Sequence, residues 1–192
     1  MLSSLFGSQF RRAMLGFGRV LAGTGISPNT ITWTGLVLNA VVGLILASGS
    51  LVFGGLMTLV AGLFDMLDGA VARAGGRASV FGSFLDSTLD RYSEALLLLG
   101  LLVYFARDHN TLAMFLVYAT MVGSIMTSYT RARAEAVGLK NDAGLFQRTE
   151  RVVLLGLLLV FRLPVLAVWV LAVCTNLTAA YRVYAVYRTT RT

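Results

Sequence analysis

Between Asp65 and Asp90 the chain reads D-x2-D-G-x2-A-R-x8-G-x3-D-x3-D, four carboxylates in a sequence that is 57% hydrophobic and has only nine acidic residues in all. A charge in hydrocarbon costs about 2.5–3.5 kcal/mol on insertion scales, so acids kept beside membrane-length apolar runs need a compensating partner. Divalent metal is the partner that a cluster of carboxylates suits. Asp65 and Asp68 are three residues apart and Asp86 and Asp90 four, so each pair lies on one face of its own helix. A short turn from Arg73 to Ser79 folds the two helices antiparallel and lets the faces meet. Hard cations such as Mg2+ or Mn2+ take carboxylate oxygens and share the rest of their shell with water and phosphate. Two such ions roughly 3.5–4 Å apart clamp a phosphoryl transfer. Gly69, Ala72 and Gly82 leave room for a ligand to approach the helix backbones, and Arg73 supplies a fork of donors for a phosphate or a base carbonyl. Close helix packing is the alternative use of such glycines.

The elements that must hold these residues are membrane helices. With 192 residues, 13% of them charged, two prolines and a mean hydropathy of +0.77, the chain reads as a single domain whose exterior faces lipid. Six apolar segments are expected to be helical and to cross the bilayer, over about 30–48, 51–72, 80–104, 111–135, 150–162 with its neighbours, and 164–187. Residues 1–22 interleave Leu2, Leu5, Phe6, Phe10, Met14, Leu15 and Phe17 with Arg11, Arg12 and Arg19, the pattern of an amphipathic helix lying in the interface rather than of a cleavable signal. The fold class is therefore an all-α integral membrane bundle of six helices over 30–187 with an N-terminal juxtamembrane helix. The single Cys174 fits no disulfide or zinc framework.

Basic residues orient the bundle. With both termini inside, Arg11, Arg12, Arg19, Arg73, Arg77, Arg131, Arg133, Lys140, Arg148, Arg151, Arg182, Arg188 and Arg191 collect on the cytoplasmic side. Only Arg107 and Arg162 fall outside, and the carboxylates open to the cytoplasm. This distribution also accounts for the net charge of +7 without nucleic acid, for which no binding module is visible. Five basic residues lie within the 21 positions from Arg131 to Arg151. Arg131 and Arg133 close the fourth segment and Arg148 and Arg151 open the fifth, so all four can face the cavity mouth beside the carboxylates. Arginines there are what a phosphorylated acceptor needs, while a positive-inside loop that only holds topology is the plainer alternative.

The string Asp65-x2-Asp68-Gly69-x2-Ala72-Arg73-x8-Gly82-x3-Asp86-x3-Asp90 resembles the CDP-alcohol phosphatidyltransferase signature at all eight specified residues over 26 positions. The resemblance implies a homodimer with a cytoplasm-facing polar cavity between the second and third helices. It implies an enzyme that transfers a phosphatidyl group from a CDP-linked lipid to an alcohol and releases CMP. On these positions Asp65, Asp68 and Asp86 would ligate metal, Mg2+ or Mn2+, as two ions. Asp90 would touch the metal and take the proton from the acceptor hydroxyl. Gly69, Arg73 and Ser79 match positions that contact the cytidine diphosphate group. Asn29 and Thr32 match another segment near the nucleotide; as plain sequence, Asn29 or Thr30 also reads as a helix N-cap.

The core Ser128-Tyr129-x2-Ala132-Arg133-Ala134-Glu135-Ala136-x-Gly138-Leu139 and the basic segment ending at Arg151 are similar to the phosphatidylinositol-phosphate synthase branch of that family. Gln147 and Thr149 depart from its pattern. The branch implies CDP-diacylglycerol and inositol 1-phosphate as substrates; an archaetidylinositol-phosphate synthase with an ether-lipid donor fits nearly as well, and glycerol 3-phosphate, serine and free inositol are the rival acceptors. From a different class, a divalent-cation transporter would use the four acids as an ion pathway, but segments 36–47 and 95–104 offer it almost no polar residue. Among the remaining residues, Glu94, four after Asp90, suits a polar role beside the metal site, with direct metal ligation as the close alternative. His109 reads as a loop residue, and Trp33, Trp169, Tyr181, Tyr184 and Tyr187 as an interfacial belt.

Overall fold

The computed structural model describes residues 27–74, 79–139 and 146–191 together with Gly16, Gly23 and Gly25. The side chains of residues 68–70 and 72–74, and the expected interfacial helix over 1–22 apart from Gly16, lie outside the described residues. Six helices follow one another: α1 (Pro28–Ala47), α2 (Leu51–Ala74), α3 (Val80–Arg107), α4 (Thr111–Ala136), α5 (Arg148–Val160) and α6 (Pro164–Thr190). Each expected segment is found as a helix, with ends within three residues of expectation.

Local chemistry sets the boundaries. Proline opens α1 and α6, where its missing N–H costs no helical bond. The N-cap of α1 is Ser27, and the expected cap residues Asn29 and Thr30 lie inside the first turn, because Pro28 takes the first helical position and moves the boundary back. Ser79 caps α3 by accepting from the Gly82 N–H at 2.9 Å, and Asn110 caps α4 by accepting from the Ala113 N–H at 3.0 Å. At α5 the Glu150 carboxylate reaches back to the Gln147 N–H at 3.0 Å.

The helices pair as α1 with α3, α4 with α6, and α2 with α5 and α1. The α1–α3 seam is a backbone contact: a Cβ on Gly43 would stand 2.5 Å from the Leu96 carbonyl oxygen, and one on Gly100 would collide with the Gly43 backbone. The α4–α6 seam is polar. Thr120 donates to the Val168 carbonyl at 3.2 Å, Thr127 to the Thr175 carbonyl at 3.1 Å, and Asn176 to the Ala119 carbonyl at 2.9 Å. Between these seams Val42, Leu46, Leu97, Leu101, Phe105, Leu159 and Leu171 form the buried core. Large apolar side chains such as Leu44, Phe115 and Leu177 stay exposed, as a lipid-facing surface requires.

Among the described residues, α1, α4 and α6 are long and apolar enough to cross a membrane. The other three fall short of six spans on that measure for different reasons. The apolar run of α2 covers Leu51–Leu67 and stops where the carboxylates gather. Asp86, Asp90, Arg91 and Glu94 interrupt α3 from its second turn to its midpoint. With 13 residues, α5 reaches only about 20 Å at 1.5 Å per residue.

Candidate active site

Chain alternation brings the start of α1, the end of α2, the start of α3, the end of α4 and the start of α5 to one end of the bundle. Asp65 on α2 and Asp90 on α3 are bridged there by Arg148 from α5. Its Nη2 donates to Asp65 Oδ2 at 2.7 Å, and its Nη1 pairs with Asp90 Oδ1 at 2.7 Å. Asp65 is also fitted against α1, where the backbone at Gly35 leaves the space that its Oδ1 fills; a Cβ on Gly35 would stand 2.7 Å from that oxygen.

Two cavities meet at this bridge. One, of about 290 Å³, has walls of Leu59, Leu63, Met66, Val152 and Val153 and ends on Asp65, Asp86, Asp90 and Arg148. The other, of about 280 Å³, is polar, with Arg91, Arg131, Arg148, Arg151 and Arg182 facing Asp86, Asp90 and Glu94. Asp86, Asp90, Arg148 and Thr149 line both. A lipid-compatible chamber and an anion-compatible chamber thus share one carboxylate-lined wall.

One turn deeper, Arg151 and Glu94 repeat the pairing. Arg151 Nε and Nη2 donate to the two Glu94 oxygens at 2.7 and 2.9 Å, and the Ser124 hydroxyl on α4 donates to the same carboxylate at 2.7 Å. The i,i+4 spacing of Asp90 and Glu94 on α3 faces the i,i+3 spacing of Arg148 and Arg151 on α5, which is why the pairs form successive rungs.

Of the expected metal ligands, Asp65, Asp86 and Asp90 share one cavity, and the Asp68 side chain lies outside the described residues. No group of three or more His, Cys, Asp or Glu side chains close enough to hold a metal ion is found among the described residues. The donor set nevertheless suits a hard cation: it is made of carboxylate oxygens, and Asp65 and Asp90 already converge on one cationic group, Arg148.

The other expected site residues separate by position. Asn29 and Ser79 come together around Gly82, where a Cβ would meet Ser79 Oγ at 3.0 Å and Asn29 Oδ1 at 3.3 Å. The Thr32 hydroxyl donates to the Pro28 carbonyl at 3.1 Å. Gly69 and Arg73 lie in the last turns of α2, and their surroundings at the side-chain level are outside what is described. Arg131, Arg148 and Arg151 line the polar cavity, while Arg133 is exposed and is absent from its walls. Two residues apart on a helix, Arg131 and Arg133 point in nearly opposite directions. Arg182 on α6, which charge counting assigned only to topology, is 4% exposed, donates to the Thr127 carbonyl and lines the cavity. Of the two arginines in the largely apolar α6, Arg182 stands more than two turns in from the helix end, and that was the available signal.

These features give one end of the bundle an apolar-walled cavity and an arginine-lined cavity that share Asp86, Asp90 and Arg148. The sequence profile described as CDP-alcohol phosphatidyltransferase matches residues 25–180. The chain is 39% identical over 173 residues to a phosphatidylinositol phosphate synthase of Mycobacteroides abscessus, covering 84% of this chain and 78% of that protein. It is 34% identical over 168 residues to an archaetidylinositol phosphate synthase of Pyrococcus horikoshii, covering 87% of both. Its fold is similar to crystal structures of Mycobacterium tuberculosis phosphatidylinositol phosphate synthase. With CDP-DAG bound, that protein matches at TM-score 0.84 and 30% identity, over 92% of this chain and 94% of the other. In complex with manganese and citrate it matches at TM-score 0.82 and 31% identity, over 91% and 88%. The chain belongs to the CDP-alcohol phosphatidyltransferase family. It is accordingly a membrane enzyme, which decides between catalysis and an ion pathway.

Proposed function

We propose that the chain transfers the phosphatidyl group of CDP-diacylglycerol to inositol 1-phosphate, giving phosphatidylinositol phosphate and CMP. The observation that carries this reading is the junction of the two cavities at Asp86, Asp90 and Arg148. The apolar-walled cavity suits the lipid end of the donor. The polar one carries five arginines against three carboxylates, an excess that suits a phosphorylated acceptor better than a neutral one. The names of the mycobacterial relatives support the same acceptor.

In this reading Asp90 stands at the junction to take the proton from the acceptor hydroxyl as its oxygen bonds to the phosphatidyl phosphorus. The bond from that phosphorus to the CMP oxygen breaks, and CMP leaves with the electron pair. Arg131, Arg148, Arg151 and Arg182 orient the acceptor phosphate, while Asn29, Thr32, Gly69, Arg73 and Ser79 serve the cytidine diphosphate side. Asp65, Asp68, Asp86 and Asp90 would hold the divalent metal, Mg2+ or Mn2+, which when bound supplies positive charge to the phosphates. The manganese complex of the M. tuberculosis protein supports this assignment.

The proposed setting is a cytoplasmic membrane crossed six times by a homodimer's protomers, with both termini and the site inside. Among the described residues, Arg131, Arg133, Arg148, Arg151, Arg182 and Arg188 gather at the carboxylate end and Arg107 and Arg162 at the other, the asymmetry that directs a site inward. The P. horikoshii relative favours one second reading, an ether-lipid CDP donor with the same acceptor.

The test is CMP release by protein purified in detergent, with CDP-diacylglycerol or its ether analogue against inositol 1-phosphate, glycerol 3-phosphate, serine and inositol. Turnover with inositol 1-phosphate alone, lost on chelation and restored by Mg2+ or Mn2+, is expected. Turnover with a neutral acceptor instead would overturn the assignment.

A further inference from the structure

Glu94 takes no part in the chemistry above, yet its carboxylate is engaged on both oxygens: Arg151 Nε and Ser124 Oγ on one, Arg151 Nη2 on the other. Its partner is equally constrained. Arg151 is 4% exposed, and its Nη1 also reaches the Phe146 carbonyl at 3.3 Å. A guanidinium is planar, so gripping it along the Nε–Nη2 edge fixes the plane of the whole group. The remaining N–H groups of Nη1 and Nη2 form a second fork, and Arg151 lines the polar cavity. A buried arginine without such a grip would sample several rotamers and present no fixed fork, at an entropic cost to each oxyanion it met.

We propose that Glu94 is a positioning residue for acceptor recognition, acting through Arg151: it fixes the plane of the Arg151 fork and, through Ser124, locks that plane to α4. This inference rests on the phosphorylated-acceptor reading. A pair that merely held helices together would use the same contacts, so the experiment must separate recognition from packing.

The experiment measures KM for inositol 1-phosphate and for CDP-diacylglycerol in wild type, Glu94→Gln, Arg151→Gln, the Glu94→Gln/Arg151→Gln double variant and Ser124→Ala, with thermal melting in the same detergent. Glu94→Gln and Arg151→Gln are each expected to raise the acceptor KM about tenfold while the donor KM stays within about twofold. The double variant is expected to be no worse than the poorer single one, since Glu94 acts only through Arg151. Ser124→Ala should move the acceptor KM in the same direction by less.

An unchanged acceptor KM in Glu94→Gln, additive losses in the double variant, or equal losses for both substrates would overturn the role. Should Glu94→Gln fail to fold, the double variant, which replaces the ion pair by two neutral amides, and Ser124→Ala carry the test. A wild-type protein silent with inositol 1-phosphate but active with another acceptor overturns the functional reading itself, an outcome distinct from an active wild type with an indifferent Glu94→Gln.

Discussion

Arg148 and Asp90 meet at 2.7 Å on the wall shared by the two cavities, and one turn deeper Arg151 and Glu94 meet at the same distance. Two successive ion pairs thus join α5 to α3. The outer pair belongs to the reacting end and the inner one lies deeper on the polar cavity wall, its side chains 5% and 13% exposed, so equivalent substitutions in the two rungs should have different signatures.

Asp90→Asn keeps the shape of the outer rung and removes the base. Arg148 retains its bond to Asp65 in the variant, so the fold should survive. CMP release is expected to fall by about 10²–10⁴ at saturating substrates, with melting in detergent little changed. A variant with more than a tenth of wild-type kcat would show that the proton goes elsewhere.

Arg148→Lys keeps the charge and loses the fork. A lysine ammonium is a point donor and does not reproduce two bonds set by a planar group, 2.7 Å to Asp65 and 2.7 Å to Asp90. The KM for inositol 1-phosphate is expected to rise about tenfold or more, measured at fixed metal and saturating donor. Full activity in Arg148→Lys would mean that only its charge matters.

The contrast between Arg133 and Arg182 separates cavity geometry from charge counting. Arg133 is exposed beyond the cavity walls, whereas Arg182 is buried among them. Arg133→Ala is expected to leave the acceptor KM within about twofold, and Arg182→Ala to raise it about tenfold. The reverse order in steady-state kinetics would place the acceptor toward the α4–α5 loop.

The helices and the Asp86–Asp90 pair were legible because each depends on one helix alone. Apolar length marks the segments, and i,i+3 or i,i+4 spacing puts Asp86 and Asp90 on a common face. What lies between helices was not legible. Arg182 belongs to the cavity only because α6 packs on α4 and carries it there, and Arg148 reaches both Asp65 and Asp90 only because α5 packs on α2 beside α3. The position of Arg133 follows from helical phase, which the clustering of basic residues concealed. Ser27 became the cap of α1 because Pro28 fixes the first turn, a local rule that decides between Ser27 and Asn29, whose capping preferences are about equal.

Two glycines on the α1–α3 side test whether close approach serves the site or the fold. At Gly35 an added methyl would stand 2.7 Å from Asp65 Oδ1, the end of a side chain that can rotate away at the expense of its bond to Arg148. Gly35→Ala should therefore fold, but with Asp65 displaced from Arg148 and from its place among the carboxylates. CMP release is expected to drop about tenfold or more, and the Mg2+ concentration for half-maximal rate to rise. At Gly100 the added methyl meets the Gly43 backbone, which no rotamer relieves. Gly100→Ala must part α1 from α3, and overpacking of this kind costs about 1–3 kcal/mol or more, seen as a lower melting temperature and poorer recovery from detergent. The protein that does fold should keep a normal metal requirement, since the contact lies away from Asp65. Were Gly35→Ala to lose stability while keeping its metal requirement, the glycine would serve helix packing and Asp65 would not depend on the space it leaves.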